Sequence, residues 1–262
     1  MYKAAIFDMD GTILDTIADL KDSINHALEV NGHRCDYTAA DTCRFFGSGV
    51  RVAVARALAA EAGLTAAEID AIGAEATYQG DESELANVIA SFEAWYPAHC
   101  DILTKPFEGI STAVRRLQIA GISTAVVSNK MHEAAVILAE RYFPGEFEFV
   151  QGVDDRIRRK PNPDATLRIL ELMGLSRDDA VYIGDTEVDI ETAQNAGIPC
   201  ISVDWGFRNR DFLEQAGAEH ICSDMAGSCD IRIALQLGAA DCRFMRRESA
   251  AESLKAGRAI GI

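Results

Sequence analysis

The chain has 262 residues, close to the upper limit for a single hydrophobic core. Its composition, with 48% hydrophobic and 25% charged residues, is that of an ordinary globular protein and excludes a disordered or low-complexity chain. Acidic residues (41) outnumber basic ones (25), and the net charge of −16 argues against general binding of nucleic acid or of an anionic membrane. The sequence therefore predicts one large domain with an insertion, or two domains. It predicts neither nucleic acid nor a membrane as a partner.

Cysteine usage and hydropathy indicate the compartment. The seven cysteines form no CxxC pair, which predicts reduced thiols instead of a disulfide framework or a structural zinc site. No apolar run reaches the length of a membrane span. The first apolar segment is interrupted by Asp8, unlike the core of a signal peptide. We therefore expect a cytoplasmic protein.

The chain begins with a short predicted strand at residues 4–7, and a long helical stretch follows it. Residues 15–96 contain no convincing strand, and their helical patterns lie at residues 18–30, 51–62, 66–78 and 82–95. Gly32, Gly63 and the Phe46-Gly47-Ser48-Gly49 run separate these patterns. The stretch is far longer than a crossover between parallel strands requires. It predicts an inserted helical cap domain over residues 15–96.

Strand and helix patterns alternate in the rest of the chain. Uninterrupted runs of Ile, Val and Ala predict strands buried on both faces at residues 123–127, 180–183 and 200–203, with a weak strand near 220–222. Predicted helices lie at residues 109–120, 134–141, 164–173 and 188–196. This alternation predicts an α/β fold, a doubly wound parallel sheet with a Rossmann-like core, formed by residues 1–14 and 97–238. Residues 239–262 read as a C-terminal tail or helix.

Polar residues follow the predicted strands where ligands bind in open α/β sheets, at the carboxyl ends. The crowded carboxylates would repel one another unless a cation lay among them, and oxygen ligands without His or Cys indicate Mg²⁺. A lysine and a serine add the positive charge and the donor that a tetrahedral anion needs, and aspartate is a known nucleophile toward phosphorus. Phosphoryl transfer suits this set best. Its members are Asp8, Asp10, Ser128, Asn129, Lys160, Asp185 and Asp189.

Four motifs in this order resemble those of the haloacid dehalogenase superfamily. They are Asp8-Met9-Asp10-Gly11-Thr12, Ser128-Asn129-Lys130, Lys160-Pro161-Asn162-Pro163-Asp164 and Gly184-Asp185-Thr186-Glu187-Val188-Asp189. The family also has a helical insert after its first motif, and the resemblance extends over residues 1–237.

The resemblance implies a role for each matching residue. Asp8 would attack phosphorus and become an aspartyl-phosphate, and Asp10 would protonate the leaving oxygen and later deprotonate water. The carboxylates of Asp8 and Asp185, with the backbone carbonyl of Asp10, would hold Mg²⁺. The remaining roles are support of a ligand or water beside the ion by Asp189, phosphate binding by Ser128 and Lys160, and backbone N–H donation by Met9 and Asn129.

Two features narrow the range of activities that the family resemblance implies. An acid at Asp10 is absent from the family's dehalogenases, whose halide leaves without a proton, and the transport ATPases have Lys and Thr where Met9 and Asp10 stand. The Gly47-Ser48-Gly49 loop resembles the substrate loop of phosphoglycolate phosphatases and their pyrophosphatase relatives, although a plain helix–helix turn explains it equally well. Arg44 or Arg51 could then meet a substrate carboxylate. Residues 205–208, Trp-Gly-Phe-Arg, resemble a late core segment of the same group.

These observations predict a Mg²⁺-dependent phosphatase that hydrolyses a small phosphomonoester through an aspartyl-phosphate. Phosphoglycolate is the leading candidate among small phosphorylated metabolites. A β-phosphoglucomutase-type phosphomutase and an inorganic pyrophosphatase of the same family remain alternatives, as does a non-catalytic phosphate-binding protein. The expected assembly is a monomer or a homodimer.

Overall fold

The computed structural model describes residues 2–73 and 80–223. In chain order, the first half contains β1 (Ala4–Phe7), β2 (Leu14–Asp15), α1 (Ile17–Val30), α2 (Ala39–Phe45), α3 (Val50–Glu61), α4 (Ala66–Asp70), α5 (Glu82–His99) and β3 (Lys105–Pro106). The second half contains α6 (Ile110–Ile119), β4 (Ser123–Met131), α7 (His132–Tyr142), β5 (Phe149–Val153), α8 (Asp164–Met173), β6 (Ala180–Gly184), α9 (Glu187–Ala196), β7 (Cys200–Val203), α10 (Arg210–Gln215) and β8 (Ile221–Cys222).

Six strands form one sheet in the order β5-β4-β1-β6-β7-β8, and every neighbouring pair is parallel. The strand β1 lies in the middle, where Ala4 is opposite Ser123 on one side and Ala180 on the other. All four residues of β1 are fully buried, as expected for a central strand covered on both faces. The predicted doubly wound parallel sheet is confirmed.

Helices cover both faces of this sheet. On one face, α6 and α7 contribute Val114 and Leu138 to a cluster that includes Phe7. On the other face, α8 contributes Ile169 to a cluster around Tyr182. The two clusters hold β1 and β6 from both sides, and they leave the carboxyl ends of these strands as the edge that faces α1–α5.

Helices α1–α5, called here the helical unit, share a third hydrophobic cluster of their own, which includes Ile24, Val54 and Phe92. The chain enters and leaves this unit beside the antiparallel pair β2–β3. Asp19, near the start of α1, accepts hydrogen bonds from the backbone N–H groups of Leu103 (3.0 Å) and Thr104 (2.8 Å). This buried carboxylate therefore fastens the outgoing and returning chains together.

Several element predictions were incomplete. The strand β5 (Phe149–Val153) was missed because its residues are only half buried and its Gln-Gly pair breaks the apolar run. The helices α2 and α10 were missed because they are seven and six residues long and show little periodicity. The strand β4 continues four residues beyond its predicted end, through a bulge in its pairing with β5.

The helix predicted over residues 66–78 was also wrong in extent, because α4 ends at Asp70. The buried Arg56 donates hydrogen bonds to the backbone carbonyls of Asp70 and Ile72. These carbonyls are therefore satisfied without the backbone N–H groups of a further helical turn. Residues 74–78 of this prediction, and the whole of the predicted tail 239–262, lie outside the described residues.

The five cysteines within residues 2–73 and 80–223 are free. In the same part of the chain, every helix is too short or too polar to cross a lipid bilayer.

Candidate active site

Three carboxylates meet at the carboxyl ends of β1 and β6. Asp8 follows β1 directly, Asp185 follows β6, and Asp189 lies in the first turn of α9. Each offers an oxygen within 4.8 Å of the others, and all three are buried. The sheet thus brings together acids that are about 180 positions apart in the chain, as the order of the motifs predicted.

The carboxylate of Asp185 is held in a tight cradle. One oxygen accepts a hydrogen bond from the hydroxyl of Thr12 (2.9 Å), and the other accepts one from the backbone N–H of Phe207 (2.7 Å). A Cβ atom on Gly11 or on Gly206 would lie only 2.2 or 2.3 Å from this carboxylate. Glycine is therefore required at both positions by the closeness of Asp185.

Lys160 extends its ammonium group into the acidic cluster. Its Nζ atom lies 2.7 Å from Asp8 and 2.7 Å from Asp189. The second oxygen of Asp189 accepts hydrogen bonds from the backbone N–H and the hydroxyl of Thr186, which caps α9. Asp189 therefore fixes Lys160 against Asp8, a role that the sequence did not predict.

Burial governs the protonation of this cluster. It raises the pKa of Asp8 well above the ordinary value, against the opposing effect of Lys160. Burial and the neighbouring Asp189 raise the pKa of Asp185 to about 7. Burial alone would lower the pKa of Lys160, but the attraction of Asp189 and Asp8 outweighs it and raises that pKa well above the ordinary value. Three carboxylates and one ammonium leave an excess of negative charge that favours a bound cation.

The residues present fit a hard divalent cation. Asp8, Asp185 and Asp189 supply only carboxylate oxygens, and no imidazole or thiol belongs to the group. Mg²⁺ prefers such ligands, whereas zinc prefers nitrogen and sulfur. Asp10 was predicted to bind the ion through its backbone carbonyl. Its side chain does not belong to this carboxylate group and faces Lys130 instead.

The two backbone donors predicted for phosphate lie in different surroundings. The Met9 side chain is buried in the sheet's hydrophobic cluster, and its carbonyl accepts N–H groups of the turn that follows, including those of Ile13 and Leu14. That turn carries Asp10 past the end of β1. The side chain of Asn129 receives the backbone N–H of Lys160 (2.8 Å) and donates to the carbonyl of Lys160 (3.2 Å), so it anchors the lysine's loop. This tether was not anticipated from the sequence.

Asp10 is paired with a residue to which the sequence assigned no role. Lys130 places its Nζ atom 3.1 Å from Asp10 and also contacts the hydroxyl of Tyr96 on α5. The buried Ser128, two residues earlier on β4, accepts the backbone N–H of Lys130 (3.2 Å). Lys130 directly follows the predicted phosphate-binding residues Ser128 and Asn129, so its place at the site could have been predicted from the sequence. No sequence pattern indicated Tyr96.

A pocket with a volume of about 90 Å³ opens above these groups, between the sheet edge and the helical unit. Asp8, Asp10, Ser128, Asn129, Lys130 and Lys160 line its floor and wall, and the opposite side is largely apolar, formed by Leu20, Phe46, Val50, Phe92, Tyr96 and Phe207. The site residues predicted in the core thus meet in one place, although Met9, Asp185 and Asp189 are not among the residues that line the pocket.

The predicted substrate loop is divided. Gly47 and Gly49 line the pocket, whereas Ser48 is buried and is not among the lining residues. The carbonyl of Gly47 accepts a hydrogen bond from the side chain of Asn129 (3.3 Å), which joins the loop to the sheet edge.

Both arginines suggested as partners for a substrate carboxylate are engaged elsewhere, which corrects that expectation. Arg44 pairs with Asp70 (3.0 Å) and Arg51 pairs with Glu82 (2.8 Å). Neither side chain lines the pocket.

Comparison with known proteins supports the family resemblance that the four motifs indicate. A model of the haloacid dehalogenase-like hydrolase family matches residues 5–203. A protein of Mesorhizobium japonicum named phosphoglycolate phosphatase is 32% identical over 214 residues, which cover 80% of this chain and 86% of the relative. A solved structure of a candidate phosphoglycolate phosphatase from Lactobacillus delbrueckii subsp. bulgaricus is 47% identical, with a TM-score of 0.81 over 85% of this chain and 95% of that one.

Other matches carry other names. A candidate pyrophosphatase of Caldanaerobacter subterraneus subsp. tengcongensis is 26% identical and covers 85% of this chain and 90% of the relative. A candidate β-phosphoglucomutase from Bacteroides vulgatus shares the fold at 18% identity, with a TM-score of 0.68 over 90% of this chain and 89% of that one.

Proposed function

The chain belongs to the haloacid dehalogenase-like hydrolase family, and from that premise we propose that it is a Mg²⁺-dependent phosphatase acting on a small phosphomonoester. Family membership confirms the resemblance on which the sequence analysis rested and the prediction of a phosphatase-like hydrolase. The single observation that carries the proposal is the pairing of Asp8 with Lys160 (2.7 Å) among carboxylates at the floor of a small pocket.

In the first half-reaction, a carboxylate oxygen of Asp8 attacks phosphorus and the bond between phosphorus and the leaving oxygen breaks. The proton on Asp10 passes to that leaving oxygen, so the alcohol departs neutral. Lys160 and Ser128 bind the phosphoryl oxygens, whose charge is spread over the group as the bond breaks. The products are a free alcohol and an aspartyl-phosphate on Asp8.

In the second half-reaction, Asp10 accepts a proton from water as the water oxygen attacks phosphorus. The bond between phosphorus and Asp8 breaks, which restores the carboxylate and releases inorganic phosphate. The proton balance closes, because the proton that Asp10 gave up in the first half-reaction is replaced by the proton from water.

Asp8 and Asp185 would hold Mg²⁺ together with the backbone carbonyl of Asp10, and Asp189 is close enough to take part. When bound, the ion supplies positive charge to the phosphoryl oxygens and compensates the excess of carboxylates. This chain's contribution is the rigid cradle of Asp185, which keeps one ligand in place whether or not a cation is present.

The pocket supports a substrate with a small leaving group. Its volume of about 90 Å³ is less than that of an engineered cavity of about 150 Å³ that takes benzene. A leaving group of two or three carbons fits this space better than a hexose does. The named relatives make phosphoglycolate the leading candidate. The same argument places a hexose-phosphate mutase second.

The helical unit, residues 17–99, fits the role of the cap that the sequence predicts over residues 15–96, although α5 continues three residues beyond that boundary. It has a hydrophobic cluster of its own and contributes Phe46, Phe92 and Tyr96 to the pocket. Such a cover excludes bulk water while the aspartyl-phosphate exists.

The test is phosphate release from a panel of metabolites with Mg²⁺, which compares the wild type with Asp8→Asn. We expect release by the wild type, with phosphoglycolate among the best substrates, and none above background by Asp8→Asn. Asp22→Asn, an exposed acid outside the site, is the matched control and should retain full activity.

Three results would redirect the proposal. Equal turnover by the wild type and Asp8→Asn would refute the nucleophile. Isomerisation of a sugar phosphate with little release of phosphate would indicate the mutase, and preferential cleavage of pyrophosphate would indicate the pyrophosphatase.

A further inference from the structure

Lys130 is a buried cation that the reaction above does not use. It lies on β4 at the wall of the pocket, and its side chain is only 3% exposed. Burial of an ammonium group is costly unless it is paired, so a partner must account for its position. Among the residues that the structure describes, its ammonium group contacts Asp10 and Tyr96, one from each side of the pocket.

The contact with Asp10 distinguishes the two lysines of the site. Lys160 faces Asp8 and Asp189, which belong to the carboxylate cluster, whereas Lys130 lies 3.1 Å from Asp10. Each lysine therefore serves a different carboxylate of the first motif. Asp10 is 18% exposed at its side chain, so Lys130 is the group that restrains it on the protein side.

The contact with Tyr96 comes from the helical unit. The Tyr96 hydroxyl accepts a hydrogen bond from Lys130, and the Lys130 ammonium also lies 4.7 Å from the centroid of the tyrosine ring. Tyr96 is itself fixed by stacking on Phe92, with ring centroids 4.9 Å apart. The position of Lys130 thus depends on α5, although Lys130 belongs to the sheet.

We propose that Lys130 is a positioning residue for Asp10, and that Tyr96 makes this positioning depend on the helical unit. The inference rests on the proposed function, because it takes Asp10 as the group that moves the proton. When the helical unit is in place, Tyr96 holds Lys130 and Lys130 holds Asp10 toward the leaving oxygen. When Tyr96 is withdrawn, Asp10 loses its restraint and proton transfer fails first.

This role has a signature that general damage to the site lacks. An alkoxide is a poor leaving group and needs the proton of Asp10 as its bond to phosphorus breaks. The p-nitrophenolate ion is stable and leaves without a proton. Disordering Asp10 should therefore lower kcat/KM, which reports the first half-reaction, much more for an alkyl phosphate than for p-nitrophenyl phosphate. The second half-reaction, in which Asp10 deprotonates water, is common to both substrates.

The experiment measures kcat and KM for both substrate types with wild type, Asp10→Asn, Lys130→Met, Lys130→Arg and Tyr96→Phe. The alkyl phosphate is the best aliphatic substrate from the metabolite panel. We expect Lys130→Met to lower kcat/KM for it by about tenfold or more, in the direction of Asp10→Asn, because general acid catalysis contributes about a hundredfold or more. The kcat/KM for p-nitrophenyl phosphate should change much less.

Two further variants sharpen the result. Lys130→Arg keeps the charge and should restore part of the lost kcat/KM, and Tyr96→Phe should show a smaller version of the same selectivity. Tyr96→Phe removes one oxygen atom and keeps the ring, so the test survives even if Lys130→Met fails to fold. Lys3→Met removes an exposed lysine that precedes β1, at the end of the strand opposite Asp8. It is the matched control and should leave both substrates unaffected.

The outcomes separate the inference from the function on which it rests. Equal loss of kcat/KM for both substrate types in Lys130→Met, or no loss for either, would overturn the positioning role while Asp10→Asn still discriminates between them. An Asp10→Asn enzyme without such discrimination would remove the proposed acid itself, and the inference with it.

Discussion

The carboxylate of Asp185 shows, at the scale of a single residue, how the site is made rigid. Both of its oxygens are engaged by donors from distant parts of the chain, Thr12 after β1 and Phe207 after β7. Two glycines allow the backbone to approach it closely. A ligand with its hydrogen bonds already satisfied loses little conformational freedom when a cation binds.

Gly206 gives a direct test of this cradle. A Cβ atom in Gly206→Ala would lie 2.3 Å from both the Asp185 carboxylate and the Gly11 carbonyl, so the carboxylate must move. We expect loss of at least tenfold in kcat/KM and weaker dependence of Tm on Mg²⁺. Gly73→Ala is the matched control, since a Cβ atom there meets nothing within 4 Å. Wild-type kinetics in Gly206→Ala would contradict the cradle.

The raised pKa of Asp185 predicts how stability depends on pH without a cation. The folded protein holds this proton up to about pH 7, whereas the unfolded chain releases it near the ordinary value of 3.8. The folded state therefore binds more protons between these values, and the free energy of unfolding falls as the pH rises through that window. In EDTA, the Tm of the wild type minus the Tm of Asp185→Asn should therefore decrease as the pH rises through the same window.

Mg²⁺ should reverse this trend, because it binds the deprotonated carboxylates. Its addition should raise Tm more at about pH 8 than at about pH 5. A stabilisation by Mg²⁺ that is larger at the lower pH would contradict the assignment of these acids as ligands.

At the level of secondary structure, the ends of strands that are buried on both faces were predicted closely. The strands β1 and β7 begin and end where the apolar runs do, because both are buried on two faces. The strand β5 is half exposed at the edge of the sheet, so its burial is decided by tertiary contacts that no local pattern contains. The short helices α2 and α10 are likewise held by capping and by neighbours, not by periodicity.

Helix α7 allows the burial of one face to be tested with adjacent residues. Leu138 is fully buried against the sheet, whereas its neighbour Ile137 is 62% exposed. We expect Leu138→Ala to lower the free energy of unfolding by about 2 to 5 kcal/mol, because it leaves a cavity in the core. Ile137→Ala should change that free energy by no more than about 0.5 kcal/mol. Urea unfolding measures both, and equal effects would contradict the orientation of α7.

At the scale of the whole molecule, one arginine joins the sheet to the helical unit. Arg208 pairs with both oxygens of Glu187 (2.8 and 3.0 Å) on α9, and it donates to the carbonyls of Cys43 and Phe46 beside the Gly47 loop. Arg56 of α3 lies 3.8 Å from the same Glu187. The segment after β7 therefore holds both Asp185 and the end of α2.

Removal of this arginine should affect both stability and substrate binding. Arg208→Ala leaves a largely buried carboxylate with one distant partner, and we expect a loss of about 3 kcal/mol in the free energy of unfolding. The KM for the best aliphatic substrate should rise, since the Gly47 loop is released. Arg210→Ala is the matched control, because Arg210 is 38% exposed and its contacts within the described part of the chain involve no residue of the helical unit. These contacts are with Asp204, Glu214, Ile221 and Ser223. An unchanged KM in Arg208→Ala would contradict the role assigned to it.

The sequence predicted the sheet, the inserted helices and the acids at the strand ends, because each follows from a local pattern and from the parallel topology. It did not predict the contacts that orient those acids. Lys130, Tyr96 and Arg208 act through partners from other elements, and such pairing appears only when the chain is folded. Arg44 and Arg51 show the converse, since charge alone gave no indication that Asp70 and Glu82 would engage them.

The central claim is that Asp8 becomes covalently phosphorylated during turnover. It is tested most directly by mixing the enzyme with p-nitrophenyl phosphate and Mg²⁺, quenching in acid within the first turnover, and measuring the mass of the intact chain and of its peptides. We expect one added phosphoryl group in the peptide that contains Asp8, removable by hydroxylamine, and no such group in Asp8→Asn. A phosphoryl group on another residue, or rapid turnover with an Asn at this position, would contradict it.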